Sequence, residues 1–104
     1  PAGRRLLLLG CLQGRDPDAM LAALRADDFD LVLCCTAPSP RGMPAQEVAQ
    51  AARRMGCDDV ETVDSVEAAI GRALEHIGPD DALLITGSLY VVGAARSYLR
   101  RVLP

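Results

Sequence analysis

The sequence predicts an α/β domain with a mostly parallel sheet and helices on both faces. Four short apolar segments alternate with four segments in which apolar residues recur at helical spacing, so the order of elements is β-α-β-α-β-α-β-α. The first two apolar segments lack the polar alternation of a half-exposed strand, which indicates that they are covered on both faces. The connections are short and 104 residues suffice for one domain, so we expect a single domain over residues 1–104.

The element boundaries follow from turn residues and helix caps. Strands are predicted over residues 5–9, 30–36, 60–63 and 82–86, and helices over residues 16–28, 44–55, 66–77 and 89–103. The first helix begins at Asp16, an N-cap residue that is followed by Pro17 at the first helical position. Asp64 or Ser65 caps the third helix, and Glu67 lies three residues after Asp64 as the partner in a capping box.

The order of the strands follows from the handedness of their connections. Right-handed crossovers place the first three strands side by side, with strand 3 at an edge. In a Rossmann-like sheet the chain then returns to the other side of strand 1, which gives the order 3-2-1-4. Two glycine turns, residues 10–16 and Gly87-Ser88, then face each other across one crevice. Two helices begin at this crevice, and their free N–H groups favour an anionic ligand.

Five polar or aromatic residues near these turns are candidates for ligand binding. The hydroxyl of Ser88 either contacts an anion or only caps its own helix. Arg15 either binds a carboxylate or phosphate through its guanidinium or is a solvated loop residue. Tyr90 either covers a ligand or packs against the sheet. Arg41, at the tip of a proline-rich loop, is a weaker candidate, and Asp16 is expected to cap its helix. The supporting loop residues are Gly10, Asp16, Arg41 and Gly87.

The composition excludes several classes of function. A net charge of −3 and only three aromatic residues are atypical of a nucleic-acid-binding protein. No apolar segment approaches the roughly 20 residues that cross a bilayer, so no membrane partner is expected. The four cysteines form no C-x-x-C pair and the single histidine is not near them, so no metal site is expected. Buried free thiols fit a cytoplasmic protein. No pairing of a nucleophile with a base marks a catalytic residue.

Three loop segments together resemble those of a known family. Residues 9–17 read Leu-Gly-Cys-Leu-Gln-Gly-Arg-Asp-Pro, residues 37–43 read Ala-Pro-Ser-Pro-Arg-Gly-Met, and residues 86–93 read Thr-Gly-Ser-Leu-Tyr-Val-Val-Gly. They resemble the Gly-x-x-x-Asp-Lys-Asp, Pro-Arg-Gly/Ala and Gly-Ser-[Leu/Phe]-Tyr/His-x-Val segments of the folylpolyglutamate synthase and dihydrofolate synthase family, in the Mur ligase superfamily. The segments occur in the family's order over nearly the whole chain, and the last is the most specific.

The resemblance implies the C-terminal domain of an ATP-dependent amide ligase. Such enzymes use ATP and Mg²⁺ to activate the carboxylate of a folate or pteroate as an acyl phosphate, which the amine of glutamate attacks. By position, Ser88 is implied to contact glutamate, and Arg15 stands at the family's lysine and keeps the positive charge. Gly14 replaces the family's first aspartate, and Tyr90 stands where some members have histidine.

The same resemblance implies that this chain is inactive alone. The family's P-loop ATPase domain, its magnesium ligands and its Asp-x-Ala-His-Asn-Pro segment are not among these 104 residues. We therefore expect no catalysis, no bound ATP or Mg²⁺, and an acceptor held mainly by the domain that is not in this sequence. Uncovered apolar sheet surface would favour self-association. The alternative is a stand-alone α/β module that binds an anion or a protein in the same crevice without catalysis.

Overall fold

The computed structural model describes residues 3–104 and, within them, a four-stranded parallel sheet with helices on both faces. The strands are β1 (Arg5–Gly10), β2 (Leu31–Cys35), β3 (Val60–Val63) and β4 (Ala82–Gly87), and the helices are α1 (Pro17–Leu24), α2 (Ala45–Met55), α3 (Val66–His76) and α4 (Leu89–Val102). The strand order is β3-β2-β1-β4 with every pair parallel, which confirms the predicted fold class and order.

Strand β1 lies inside the sheet and is covered on both faces. Leu7 and Leu9 belong to the core cluster that includes α1 and α2, whereas Leu6 and Leu8 belong to the cluster that includes α3 and α4. All four leucines are fully buried. Successive side chains of β1 point alternately into two hydrophobic cores. This is why the run is apolar without alternation, as the sequence predicted.

Helix α1 is shorter than the sequence predicted. The carboxylate of Asp16 caps it by accepting hydrogen bonds from the N–H groups of Asp18, at 3.0 Å, and Ala19, at 3.3 Å. The helix ends at Leu24 because Arg25 adopts the left-handed conformation, with φ of 52°. A short 3₁₀ helix, Ala26–Asp28, completes the segment that we expected to be one helix.

The N-cap of helix α3 is Ser65 and not Asp64. The hydroxyl oxygen of Ser65 accepts a hydrogen bond from the N–H of Ala68 at 3.1 Å. With Ser65 as the N-cap, Glu67 is one position too early to complete a capping box, so that part of the prediction is wrong. Leu74 fits the apolar spacing of α3, but the residue is 39% exposed.

The two edges of the sheet differ in polarity. Strand β3 is short and polar at its edge, where Glu61 pairs with Arg72 at 2.8 Å. Strand β4 carries no charge, and Leu84, opposite Leu7 in the pairing with β1, faces the side of α1 and α2. No residue of β4 belongs to the core cluster on that face, and Leu84 is 43% exposed. The β4 edge is therefore an uncovered apolar surface of the chain over residues 3–104.

None of the helices between residues 3 and 104 combines the length and the apolar character that crossing a membrane requires. The longest of them is α4, with 14 residues.

Asp81 joins the beginnings of β1 and β4. Its carboxylate accepts hydrogen bonds from the N–H of Gly78 at 2.8 Å, from the N–H of Arg4 at 2.7 Å, and from the guanidinium of Arg4 at 3.2 Å. These donors, first the N–H of Gly78 and then that of Arg4, lower the pKa of the Asp81 carboxyl below its usual value.

We predict that Asp81→Asn makes the protein less stable at pH 7 and that the difference fades in acid. A lowered native pKa contributes stability above the unfolded pKa of about 3.9, and this contribution is lost as the pH falls through the native pKa. Chemical denaturation of both proteins between pH 7 and pH 3 measures the effect. Asp80→Asn, at the exposed neighbouring residue, is the control and should change little. A stability difference that is independent of pH would contradict the prediction.

Candidate functional site

A crevice opens at the carboxyl end of the sheet, between the β1–α1 loop and the β4–α4 turn. Its volume is about 370 Å³, and its lining residues are Cys11, Leu12, Arg15, Met20, Gly87, Ser88, Leu89 and Tyr90. It lies where β4 returns to the other side of β1, at the switch point that the strand order predicted. Four of the predicted residues, Arg15, Gly87, Ser88 and Tyr90, therefore lie together.

Two glycines lie at the carboxyl ends of β1 and β4, where the strands approach closely. Gly87 lines the crevice, whereas Gly10 is not among its lining residues. Gly10 and Gly87 are partners in the pairing of β1 with β4. Gly87 has φ of 119°, and a Cβ on it would lie 2.1 Å from the carbonyl oxygen of Gly10. Any side chain at position 87 would therefore force the two strand ends apart.

Ser88 is the N-cap of α4. Its hydroxyl oxygen accepts a hydrogen bond from the N–H of Val91 at 3.3 Å, so the simple capping role that the sequence allowed is present. A hydroxyl group can donate its proton while its oxygen accepts. The first N–H groups of a helix also lack partners within the helix. Ser88 can thus cap α4 and still donate a hydrogen bond to an anion in the crevice.

Arg15 and Asp16 are neighbours in sequence but have different roles. Arg15 is exposed and lines the crevice. None of the ion pairs found within residues 3–104 includes its guanidinium. Asp16 does not line the crevice, because its carboxylate is directed to the N–H groups of α1. The charge of the crevice lining is therefore positive.

The lining is more apolar than the sequence suggested. Cys11, Leu12 and Met20 form part of the wall, and Leu89 and Tyr90 lie at the beginning of α4. Leu89 is 88% exposed and Tyr90 is 53% exposed. We did not anticipate the four residues other than Tyr90. The position of Leu89 directly after Ser88 was an available signal, whereas the helical spacing of Met20 within α1 gave no indication that it lines the crevice.

Arg41 does not line the crevice. It lies on the proline-rich loop between β2 and α2, on the other side of the β1–α1 loop from the crevice. The guanidinium of Arg41 donates a hydrogen bond to the carbonyl oxygen of Gln13 at 3.4 Å, so the two loops are in contact.

The cysteine thiols are poor nucleophiles. Cys11, Cys34, Cys35 and Cys57 are all free and buried. Burial, with smaller contributions from neighbouring groups, raises the pKa of the Cys34 and Cys35 thiols to about 12, and burial also raises the pKa of Cys11, the thiol that lines the crevice. Within residues 3–104 no group of three His, Cys, Asp or Glu side chains is placed to hold a metal ion. The crevice can bind and orient a ligand, but its side chains offer no nucleophile or metal centre.

Comparison with known proteins identifies the class of domain. Residues 1–89 match the family described as "Mur ligase, glutamate ligase domain". The match covers most of the chain, and this chain belongs to that family. The family resemblance inferred from the three loop segments is thereby confirmed.

The individual relatives are folylpolyglutamate synthases. A "Probable bifunctional folylpolyglutamate synthase/dihydropteroate synthase" of Haloferax volcanii is 35% identical over 94% of this chain, which spans 12% of that protein. A structure of E. coli FolC with DHPP and ADP has a TM-score of 0.84 at 25% identity over 97% of this chain and 23% of its own. Mycobacterium tuberculosis folylpolyglutamate synthase with ADP and AMPPCP has a TM-score of 0.79 at 32% identity over 93% of this chain and 24% of its own.

We predict that the four thiols react slowly with a thiol reagent in the native protein and rapidly after unfolding. Because the thiolate is the reactive form, burial and a raised pKa together should slow the native reaction roughly a hundredfold or more at pH 8. The raised native pKa values also mean that the native state loses stability as the pH rises above about 8.5, where unfolded thiols ionise. Reaction with a chromogenic disulfide, with and without denaturant, measures the rates. Fast labelling of any native thiol would contradict the structure's placement of that cysteine.

Proposed function

We propose that this chain is the C-terminal, glutamate-binding domain of a longer ATP-dependent ligase of the folylpolyglutamate synthase type. The whole enzyme adds glutamate to folate or dihydropteroate. The observation that carries the proposal is that two of the three family-like loops meet at one crevice, which is lined by Arg15 and Ser88. The chain spans about a quarter or less of the relatives it matches, so the remainder of such a ligase would supply the other parts of the site.

ATP and Mg²⁺ belong to the remainder of the proposed enzyme. Their chemistry is the phosphorylation of the acceptor carboxylate, which makes it reactive toward an amine. The residues of this domain do not fit either group, since the sequence has no Gly-Lys-[Ser/Thr] phosphate loop and the described residues form no metal-ligand cluster. The acceptor, folate or pteroate, would also be held mainly outside this domain. We therefore propose that the domain alone has no ligase activity.

The role of the domain would be to hold glutamate in position. The guanidinium of Arg15 would bind a carboxylate of glutamate, and the hydroxyl of Ser88 would donate a hydrogen bond to it. Tyr90 would close one side of the crevice. Neither Arg15 nor Ser88 would contact the amine of glutamate, which would stay free to attack the activated acceptor. Holding the two reactants together contributes to the rate by removing the entropic cost of their encounter.

The apolar residues beside the crevice support a domain that closes on another surface. Leu89 and Tyr90 are exposed where α4 begins, next to the proposed glutamate site. Burying them against the rest of the ligase would exclude water from the reacting groups. The free thiols support a reducing compartment, and we propose that the enzyme is cytoplasmic.

We predict that Ser88→Ala in the full-length ligase raises the KM for glutamate about three- to tenfold, because a hydrogen bond to a charged group is lost. Ser65→Ala is the matched control, since Ser65 caps α3 through the same kind of hydrogen bond, at 3.1 Å, away from the crevice. Each substitution should cost about 1 kcal/mol of stability through the loss of a cap. Steady-state kinetics with glutamate and thermal unfolding separate the two effects.

An unchanged KM in Ser88→Ala would remove Ser88 from the site. If the KM for glutamate rose equally in Ser88→Ala and Ser65→Ala, loss of stability would be the cause. The sequence of the surrounding reading frame tests the wider proposal, because a frame that encodes no P-loop ligase domain would contradict it and favour the stand-alone module.

We also propose that the isolated 104-residue chain self-associates through the uncovered β4 edge, where a second copy can pair its own β4. Leu84→Lys should shift the isolated chain to monomer in sedimentation velocity, because the charge makes edge pairing unfavourable. Leu74→Lys is the control, as Leu74 is similarly exposed, at 39%, but lies on α3. A wild-type chain that is monomeric at high micromolar concentration would contradict self-association.

A further inference from the structure

The crevice is larger and more apolar than the binding of glutamate requires. Its volume is about 370 Å³, and cavities of this size hold ligands considerably larger than glutamate. Arg15 is the one charged residue among those that line it within the described residues 3–104. The proposed function uses Arg15, Ser88 and Tyr90, so an apolar part of the lining is left without a ligand.

Three side chains form this part of the lining, which we call the apolar wall: Leu12, Met20 and Leu89. Leu12 packs against the core cluster of α3 and α4, and Met20 packs against the cluster of α1 and α2. The Sδ of Met20 lies 3.9 Å from the Sγ of Cys11, which is itself buried. The apolar wall therefore joins two side chains that are anchored to the cores with Leu89, which is 88% exposed.

The chemistry of amide formation brings the acceptor next to the bound glutamate. The amine of glutamate must approach the activated carboxyl carbon of the acceptor to about 3–3.5 Å. The group that carries this carboxyl therefore lies directly beside glutamate. Because Arg15, Ser88 and the apolar wall line the same cavity, the surface available to that group in the crevice is the apolar wall.

The two acceptors of the proposed function differ in the group that carries the reacting carboxyl. In dihydropteroate the carboxyl is attached directly to a benzene ring, and the molecule has no other carboxylate. In a folate the reacting γ-carboxyl belongs to a glutamyl group, whose α-carboxylate stays charged. An aromatic ring buries a large apolar area, and the sulfur of methionine makes favourable contacts with such rings. The ring of dihydropteroate therefore suits the apolar wall.

The remaining carboxylate of a folate would find no cation at the apolar wall. Arg15, the charged residue of the lining, is used by the incoming glutamate in the proposed function. Moving a charged group from water to an apolar surface without a partner is unfavourable, because the group loses its hydration. The glutamyl group of a folate acceptor would therefore oppose binding at the same wall that the ring favours.

We propose that the apolar wall selects an acceptor whose carboxyl is attached to an aromatic ring, so that the ligase acts on dihydropteroate in preference to folates that already carry glutamate. The inference rests on the proposed function, because it requires glutamate at Arg15 and Ser88. The wall contacts only the ring beside the reacting carboxyl, and the rest of the acceptor is held outside this domain. Leu12, Met20 and Leu89 are then specificity-determining residues.

Dihydropteroate and dihydrofolate are a matched pair of acceptors, since they differ only by the glutamyl group. In initial-rate measurements on the full-length ligase with saturating ATP and glutamate, kcat/KM for dihydropteroate should exceed that for dihydrofolate at least about tenfold. Similar values, or a preference for dihydrofolate, would overturn the inference and leave the proposed function standing. If neither acceptor receives glutamate, the proposed function fails and this inference fails with it.

Two lysine substitutions test whether the preference arises at the apolar wall. Met20→Lys places a cation there, which disfavours the ring and gives the carboxylate of dihydrofolate a partner. The ratio of the two kcat/KM values should fall roughly fivefold, as expected for one partly exposed ion pair. Leu89→Lys makes the same change at an exposed residue and decides the question if Met20→Lys does not fold. Thermal unfolding shows which variants are folded.

Met55→Lys is the matched control. Met55 is also a partly buried methionine packed against the core cluster of α1 and α2, but it does not line the crevice. Its substitution should leave the ratio of the two kcat/KM values within about twofold. An equal fall of the ratio in Met55→Lys would overturn the role of the apolar wall, and so would an unchanged ratio in the folded lysine variants of the wall.

Discussion

The burial of β1 on both faces is the constraint on which the rest of the structure depends. Its leucines point alternately into two separate cores, and none of them is exposed to solvent. Helices must therefore cover both sides of the sheet, and this requires the chain to reverse direction once after β3. That reversal places β4 beside β1 and creates the switch point at which the crevice opens.

The same arrangement explains why the candidate site contains so little chemistry. The close contact of Gly10 with Gly87 brings two loops together without any side chain between them. What remains at the opening is one arginine, one helix cap and a group of apolar side chains. Such a site can bind and orient a small anion next to a surface that excludes water. It suits a domain that positions one reactant for a reaction carried out by another part of an enzyme.

Several local details were outside the reach of sequence reasoning. Asp64 and Ser65 are both good N-caps, and which of them caps α3 depends on the direction in which the chain leaves β3. Residues 17–28 carry a continuous helical pattern, yet Arg25 takes a left-handed conformation and Ala26 turns into the core. Leu74 fits the apolar spacing of α3 but lies outside the packed surface. In each case packing between distant segments selected among local options of similar energy.

The sequence by itself determined the fold class, the strand order and the two turns that form the crevice, because apolar periodicity and crossover handedness restrict an α/β chain of this length to few arrangements. Only the tertiary structure decided which side chains share the crevice. It brought Met20 and Leu12 to the wall, turned Asp16 away toward α1, and kept Arg41 outside the crevice. Some of these contacts join residues that are distant along the chain, and others depend on the path of a loop. The local pattern of apolar and polar residues encodes neither kind of contact.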